Sequence, residues 1–121
     1  MDYGWQTVLK QVPSKSNSYR IITLGGHASL AKAQALKAFE GAFYMQCGKY
    51  RNLMIDKYFE FHCRVFYPSM RSDVDNALKI LLDSCQSAKV VKNDNLCVKV
   101  VAEKFVDKIN PRVEFKIVTI E

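Results

Sequence analysis

Two aspartates one residue apart, Asp73 and Asp75, stand in the segment Arg71-Ser72-Asp73-Val74-Asp75-Asn76-Ala77-Leu78-Lys79. In a continuous helix that spacing would turn the two side chains about 200° apart. In an extended or turning segment they share a face. The run Lys57 to Tyr67 reads as a strand ended by Pro68, and a helix is expected from about Asp75, so the pair falls in the connecting turn. Lys79 follows Asp75 at i+4, one turn on along the same helix face. Asp94 occupies a second polar turn, Lys92-Asn93-Asp94-Asn95, which a strand can bring alongside. Carboxylates placed together repel unless a hard divalent cation compensates. Magnesium suits such a set, because it takes a few carboxylates and keeps waters that a substrate phosphate can displace. Plainer readings stand beside this one. Asp73 can be an N-cap and Asp75 a first-turn acid favoured by the helix dipole. Asp94 can close an Asx turn, and Lys79 can be a surface lysine paired with Asp75 or Asp83.

The elements around these residues follow from periodicity. Gln6 to Val12 reads as a first strand ended by Pro13, with a turn-rich stretch to Arg20 after it. Ile21 to Leu24 adds a short strand before Gly25-Gly26. Ser29 is a plausible N-cap for a helix to about Cys47, with Leu36, Phe39, Phe43 and Cys47 as its apolar stripe and Gly48 as its terminator. Phe59, Phe61, Cys63, Val65 and Tyr67 alternate with Glu60, His62 and Arg64, the pattern of a half-buried strand. A second helix over about Asp75 to Ser87 would bury Leu78, Leu81, Leu82 and Cys85. Leu96 to Phe105 is β-rich, Asn110-Pro111 is a turn, and Val113, Phe115 and Ile117 alternate in a last strand. The order β-α-β-α-β-β makes a two-layer α/β (α+β) domain, a mixed sheet of about four strands covered by two helices.

Composition narrows the class. A chain of 121 residues fits one domain, residues 1–121, with a core of its own. The N-terminus lacks an apolar run of signal-peptide length, and no stretch approaches the ~20 apolar residues of a membrane span. A cytoplasmic protein with no membrane partner is expected. The four cysteines form no CxxC pair and suit a reducing setting. An excess of 18 Lys and Arg over 12 acids, net charge +6, favours a polyanionic partner through counterion release. His27 and His62 lie away from the aspartates and read as surface histidines. Trp5 reads as core or interface rather than as a base-stacking platform.

The run Ser72 to Lys79, followed by Asp83 and by Asn93-Asp94-Asn95, resembles the RusA family of Holliday-junction resolvases. Asp73, Asp75, Asn76 and Lys79 match its D-x-D-N-x-x-K motif, and Asp94 stands where its third aspartate is expected. Pro13-Ser14, Asn17 and Tyr19-Arg20 are similar to its N-terminal pattern, and Pro111-Arg112-Val113-Glu114 to its last strand. The chain departs from the family just before the motif, where Tyr67-Pro68-Ser69-Met70-Arg71-Ser72 carries a single arginine in place of an arginine-rich run. That bears on junction binding more than on the chemistry.

The resemblance implies a magnesium-dependent endonuclease, with manganese able to substitute, that acts as a homodimer on four-way DNA junctions. Carried over, Asp73, Asp75 and Asp94 are its metal site and Lys79 its essential lysine. Asn76 and Asp83 support them, and Asn17, Tyr19, Arg20 and Arg71 are weaker candidates for DNA contact. No nucleotide cofactor is expected, and a bacterial or phage origin is. Two alternatives remain: a less selective nuclease of flaps and branched DNA, and a catalytically silent DNA-binding protein of the same fold.

Overall fold

The strongest alternation in the sequence becomes the centre of the sheet. In the structure, a computed structural model describing residues 1–14 and 19–120, with backbone alone for 19–22, 24 and 27–32, it forms β4 (Phe59–Tyr67). The odd-numbered side chains of β4 are buried and the even-numbered ones half-exposed. Before it come β1 (Gln6–Val8), β2 (Tyr19–Leu24), β3 (His27–Lys32) and α1 (Gln34–Gln46); after it come α2 (Leu78–Ser87), β5 (Cys97–Val106) and β6 (Arg112–Thr119). The main sheet has the order β1-β6-β4-β5. β6 runs antiparallel to β1 and β4, while β5 runs parallel to β4. This is the expected α+β layout of a four-stranded mixed sheet and two helices.

A parallel pair cannot be joined by a tight turn, and α2 makes the crossover between β4 and β5. Both helices bury apolar residues, Leu36, Phe39 and Phe43 from α1 and Ile80, Leu81 and Cys85 from α2. Phe43 stacks on Phe115 with ring centroids 5.1 Å apart, and Tyr50 meets Phe115 at 4.9 Å. The Tyr50 hydroxyl donates to Gly4 O (2.6 Å) and accepts from Ile117 N (3.2 Å), tying the N-terminal segment to β6. The face of the sheet away from the core carries charge: Arg64 lies between Glu103 and Glu114, with its guanidinium 3.9 Å from the Trp5 ring centre.

Several boundaries differ from the expectation. β1 stops at Val8 rather than Val12. Ser29 caps no helix; it lies in β3, opposite Ile22 of β2. Gly25 and Gly26 both take positive φ, 56° and 83°, which suits a two-residue hairpin turn. The chain therefore doubles back and pairs before the good helix formers of α1 begin. The second helix starts at Leu78 rather than near Asp75, and Ile80 and Ser84 join its buried side while Leu78 and Leu82 are half-buried. Ser84 is accommodated there because its hydroxyl donates to Ile80 O at 2.7 Å.

Candidate active site

Asp73 and Asp75 lie in the connection that leaves the C-terminal end of β4. Lys104 of β5 holds this connection down, its ammonium donating to Ser72 O at 2.7 Å and to Met70 O at 3.4 Å. The chain then turns tightly: Asn76 N donates to Asp73 O (3.1 Å), and Leu78 N to Asp75 O (3.2 Å). Neither aspartate caps α2, whose N-cap is Ala77 with no side-chain capping bond. Both are solvent-exposed. The plainer reading of Asp73 as an N-cap is therefore wrong, and two carboxylates stand on an exposed ledge at one end of the sheet.

Tyr67, the last residue of β4, lies beneath that ledge. Burial raises the pKa of its hydroxyl above the ordinary phenol value, and the negative charges of Asp75 and Asp73 add to the rise. The polar Asn76 side chain nearby opposes it. One hydroxyl thus feels the charge of both carboxylates, which lie in the turn that follows the end of β4. Asn76 is half-buried within the same turn. Lys79 rises from the first turn of α2 at the same end, its ammonium 3.2 Å from Asp83 Oδ2 at i+4. The expected link between Asp83 and Lys79 is present.

Asp94 is elsewhere. It opens a 3-10 turn, Asp94–Leu96, in which the Asn93 side chain accepts from Asn95 N. Its own N–H donates to Gln86 Oε1 at 2.9 Å, at the far end of α2. Its charge, after burial, helps to raise the pKa of the Cys97 thiol, and Cys97 pairs with Phe59 at the start of β4. Asp94 therefore stands by the N-terminal ends of β4 and β5, while Asp73 and Asp75 stand by the C-terminal end of β4. The ten residues of α2 span about 15 Å, and the nine of β4 about 30 Å. The expectation that all three aspartates meet at the start of the second helix fails within one chain. Among the described residues no three His, Cys, Asp or Glu side chains are grouped to hold a metal ion. The cause is the parallel crossover: a residue just after the first strand and one just before the second fall at opposite ends of the unit.

Of the weaker candidates, Arg71 is exposed in the same connection as Asp73, with its backbone N–H 3.4 Å from Ser69 Oγ. Asn17 lies outside the described residues, as do the side chains of Tyr19 and Arg20, whose backbone is part of β2. His62 pairs with Glu60 at 3.0 Å on the open face of the sheet, away from the ledge. Trp5 serves as a platform for Arg64. Sequence reading missed Tyr67 as the residue beneath the pair and Lys104 as the clamp of the connection. Lys104 was findable: it follows Val100 and Ala102 on the helix side of β5, where a third apolar residue is due.

A basic chain with paired exposed carboxylates and a lysine at the end of a mixed sheet has the features of a protein that handles phosphodiesters. Residues 12–118 match the family model described as Endodeoxyribonuclease RusA, so the chain belongs to that family and is an endodeoxyribonuclease. No curated protein sequence matches the chain. No helix among the described residues is long and apolar enough to cross a membrane.

Proposed function

We propose that this protein is a magnesium-dependent endodeoxyribonuclease that resolves four-way DNA junctions by paired cuts in recombination and repair, working as a homodimer. The observation that carries the reading is the uncapped Asp73–Asp75 turn, with Lys79 on the first turn of α2 beside it. Two exposed carboxylates over one strand end suit a hard cation, since magnesium is commonly held by one or two carboxylates and waters. Asp73 and Asp75 would hold the ion, and manganese would replace it. When bound, such an ion polarises a phosphoryl oxygen and lowers the pKa of a water.

The protein's own groups do the rest. Lys79 presents a point charge to the phosphate as negative charge grows on it, and Asp83 steadies that ammonium. The Asn76 N–H closes the turn on Asp73 O at 3.1 Å. Arg71, exposed two residues before Asp73, would meet the DNA backbone beside the carboxylates. A net charge of +6 draws the polyanion in. Asp94, the third acid of the set, cannot reach Asp73 and Asp75 within its own chain.

The test is cleavage of labelled four-way junction, flap and linear duplex in magnesium or manganese, by the wild type and by Asp73→Asn and Asp75→Asn. Cutting of the junction in preference to the flap and duplex is expected, with both variants near background and still folded by circular dichroism. Junction cutting by either variant at the wild-type rate would remove the metal site from these residues. Equal cutting of flap and junction would leave a nuclease without junction selectivity.

A further inference from the structure

Among the described residues, the buried side chains that carry a hydroxyl are Tyr50, Tyr67, Ser84 and Thr119. Three of them have partners in the fold. The Tyr50 hydroxyl is held by Gly4 O and Ile117 N, Ser84 donates to Ile80 O at 2.7 Å, and Thr119 donates to Met1 O at 3.4 Å. Tyr67 differs. It is 2% exposed, yet its hydroxyl oxygen is buried with no hydrogen-bond partner among the described residues. The Asn76 side chain lies near it but not in hydrogen-bonding geometry.

A buried hydroxyl left unpaired costs stability, and native proteins keep few of them. Phenylalanine at this position would bury the same ring without that cost. The exceptions call for an explanation, a ligand or a part in the chemistry among them. This hydroxyl belongs to the last residue of β4, and the carboxylates whose charge reaches it are Asp75 and Asp73. The backbone there is fixed, because Tyr67 pairs with Val106 of β5 and its carbonyl accepts from Asp107 N at 2.8 Å. The ring is part of the core, so the hydroxyl cannot swing out to bulk water.

We propose that Tyr67 is a positioning residue of the active site: its hydroxyl donates a hydrogen bond, directly or through one water, to the carboxylates of Asp73 and Asp75 and sets them for a divalent cation. The inference deepens the nuclease reading and rests on it for the cation's site. Carboxylates that hold a metal ion are themselves hydrogen-bonded by groups behind them, and losing such a group costs about ten- to a hundredfold in metal affinity. Neither aspartate caps α2, so the helix does not set the direction of their side chains. A phenol suits the task because it is neutral. An ammonium or guanidinium would also orient the acids, but it would cancel the charge that draws the cation. Lys104, the cation that closes the same connection, directs its ammonium to two backbone carbonyls, Ser72 O and Met70 O.

The test compares two buried tyrosines in the intact protein. Manganese(II) binding is read from the free-ion EPR signal, and stability from thermal melts in EDTA. Tyr67→Phe should bind manganese about ten- to a hundredfold more weakly than the wild type. In EDTA it should melt at or above the wild-type temperature, because it removes an unpaired hydroxyl and breaks no bond. Its junction cleavage should fall at low manganese and recover as manganese is raised, as expected of a residue that acts through metal affinity. Tyr50→Phe should do the opposite, melting several degrees lower while binding manganese as the wild type does.

A Tyr67→Phe protein with wild-type manganese affinity overturns the proposal. So does one that melts well below the wild type in EDTA, which would make the hydroxyl a structural one. Asp75→Asn separates this inference from the reading beneath it. Manganese lost by Asp75→Asn but fully held by Tyr67→Phe leaves the metal site standing and removes Tyr67 from it. Manganese held equally by the wild type and Asp75→Asn, or not held by the wild type, ends the metal site and the role of Tyr67 with it.

Discussion

Lys79, the proposed catalytic lysine, contributes little to stability through its ion pair with Asp83. Its partner Asp83 is 3.2 Å away, but the two side chains are 53% and 28% exposed, and i,i+4 pairs of this kind contribute about 0.3–0.5 kcal/mol. Lys79→Met keeps the aliphatic stem and removes the charge. The melting temperature should move by no more than a degree or two, while cleavage falls on the order of a hundredfold to a thousandfold, the usual cost of losing one group that stabilises transition-state charge. Single-turnover cleavage beside a thermal melt separates the two, and a variant that cuts normally would make Lys79 a plain surface residue. Asp94→Asn makes the complementary case. It removes one charge and leaves the 3-10 turn intact, because that turn is held by the Asn93 side chain and by the Asp94 N–H. Cleavage should drop to near background. Metal-free junction binding should stay the same or tighten, because fewer carboxylates repel the phosphates. Gel-shift titration in EDTA reads the second half, and a folded variant with lost binding would place Asp94 in DNA contact instead.

Among the elements, the N-terminal strand depends on one phenol. Tyr50 is fully buried, and its two hydrogen bonds link Gly4 to β6 at Ile117. Tyr50→Phe leaves the Ile117 N–H buried without its acceptor, which costs about 1–3 kcal/mol, and a melting temperature several degrees lower is expected. Burial pushes the Tyr50 pKa up to about 12 from the ordinary phenol value of 10.0. A folded-state pKa raised in this way means that the stabilisation is complete below the unfolded value and is lost as pH rises through the folded one. The wild type should therefore lose stability between about pH 10 and pH 12. Burial also raises Cys63 to about 12, from 9.0, and it acts in the same direction. Tyr50→Phe should flatten the alkaline loss without abolishing it. Urea melts across that range check the slope, and a variant with the wild-type pH profile would assign the loss to other groups.

At the scale of the whole molecule, charge and assembly govern binding. With a net charge of +6 meeting phosphates, affinity for junction DNA should fall steeply with salt. A protein that neutralises about six phosphates loses roughly a thousandfold between ~50 and ~200 mM salt. Fluorescence anisotropy over that range measures the slope, and a flat line would speak against a DNA partner. Sedimentation at micromolar concentration should give twice the 13.9 kDa chain mass, and a single-chain mass both free and with junction DNA would count against the homodimer.

The sequence alone determined those features that depend on near neighbours along the chain. The alternation of Phe59 to Tyr67 determined a half-buried strand, because successive strand side chains point to opposite faces. Leu36, Phe39, Phe43 and Cys47 determined the buried side of α1. The spacing of Asp73, Asp75, Asn76 and Lys79 determined the family, and with it the candidate site at the start of α2. The hairpin was legible only in part: Gly25-Gly26 marked a turn, but whether Ser29 began a helix or paired with Ile22 depended on a strand pairing that helix propensity does not report. Asp94 was legible as a candidate but not in its place. Its position depends on β5 running parallel to β4, so that the chain must travel the length of α2 before it re-enters the sheet. Strand direction is a long-range choice, set by which edges pair and which faces are covered, and no local spacing encodes it. Only the tertiary structure could separate Asp94 from Asp73 and Asp75 and leave β5 as an open apolar edge between them.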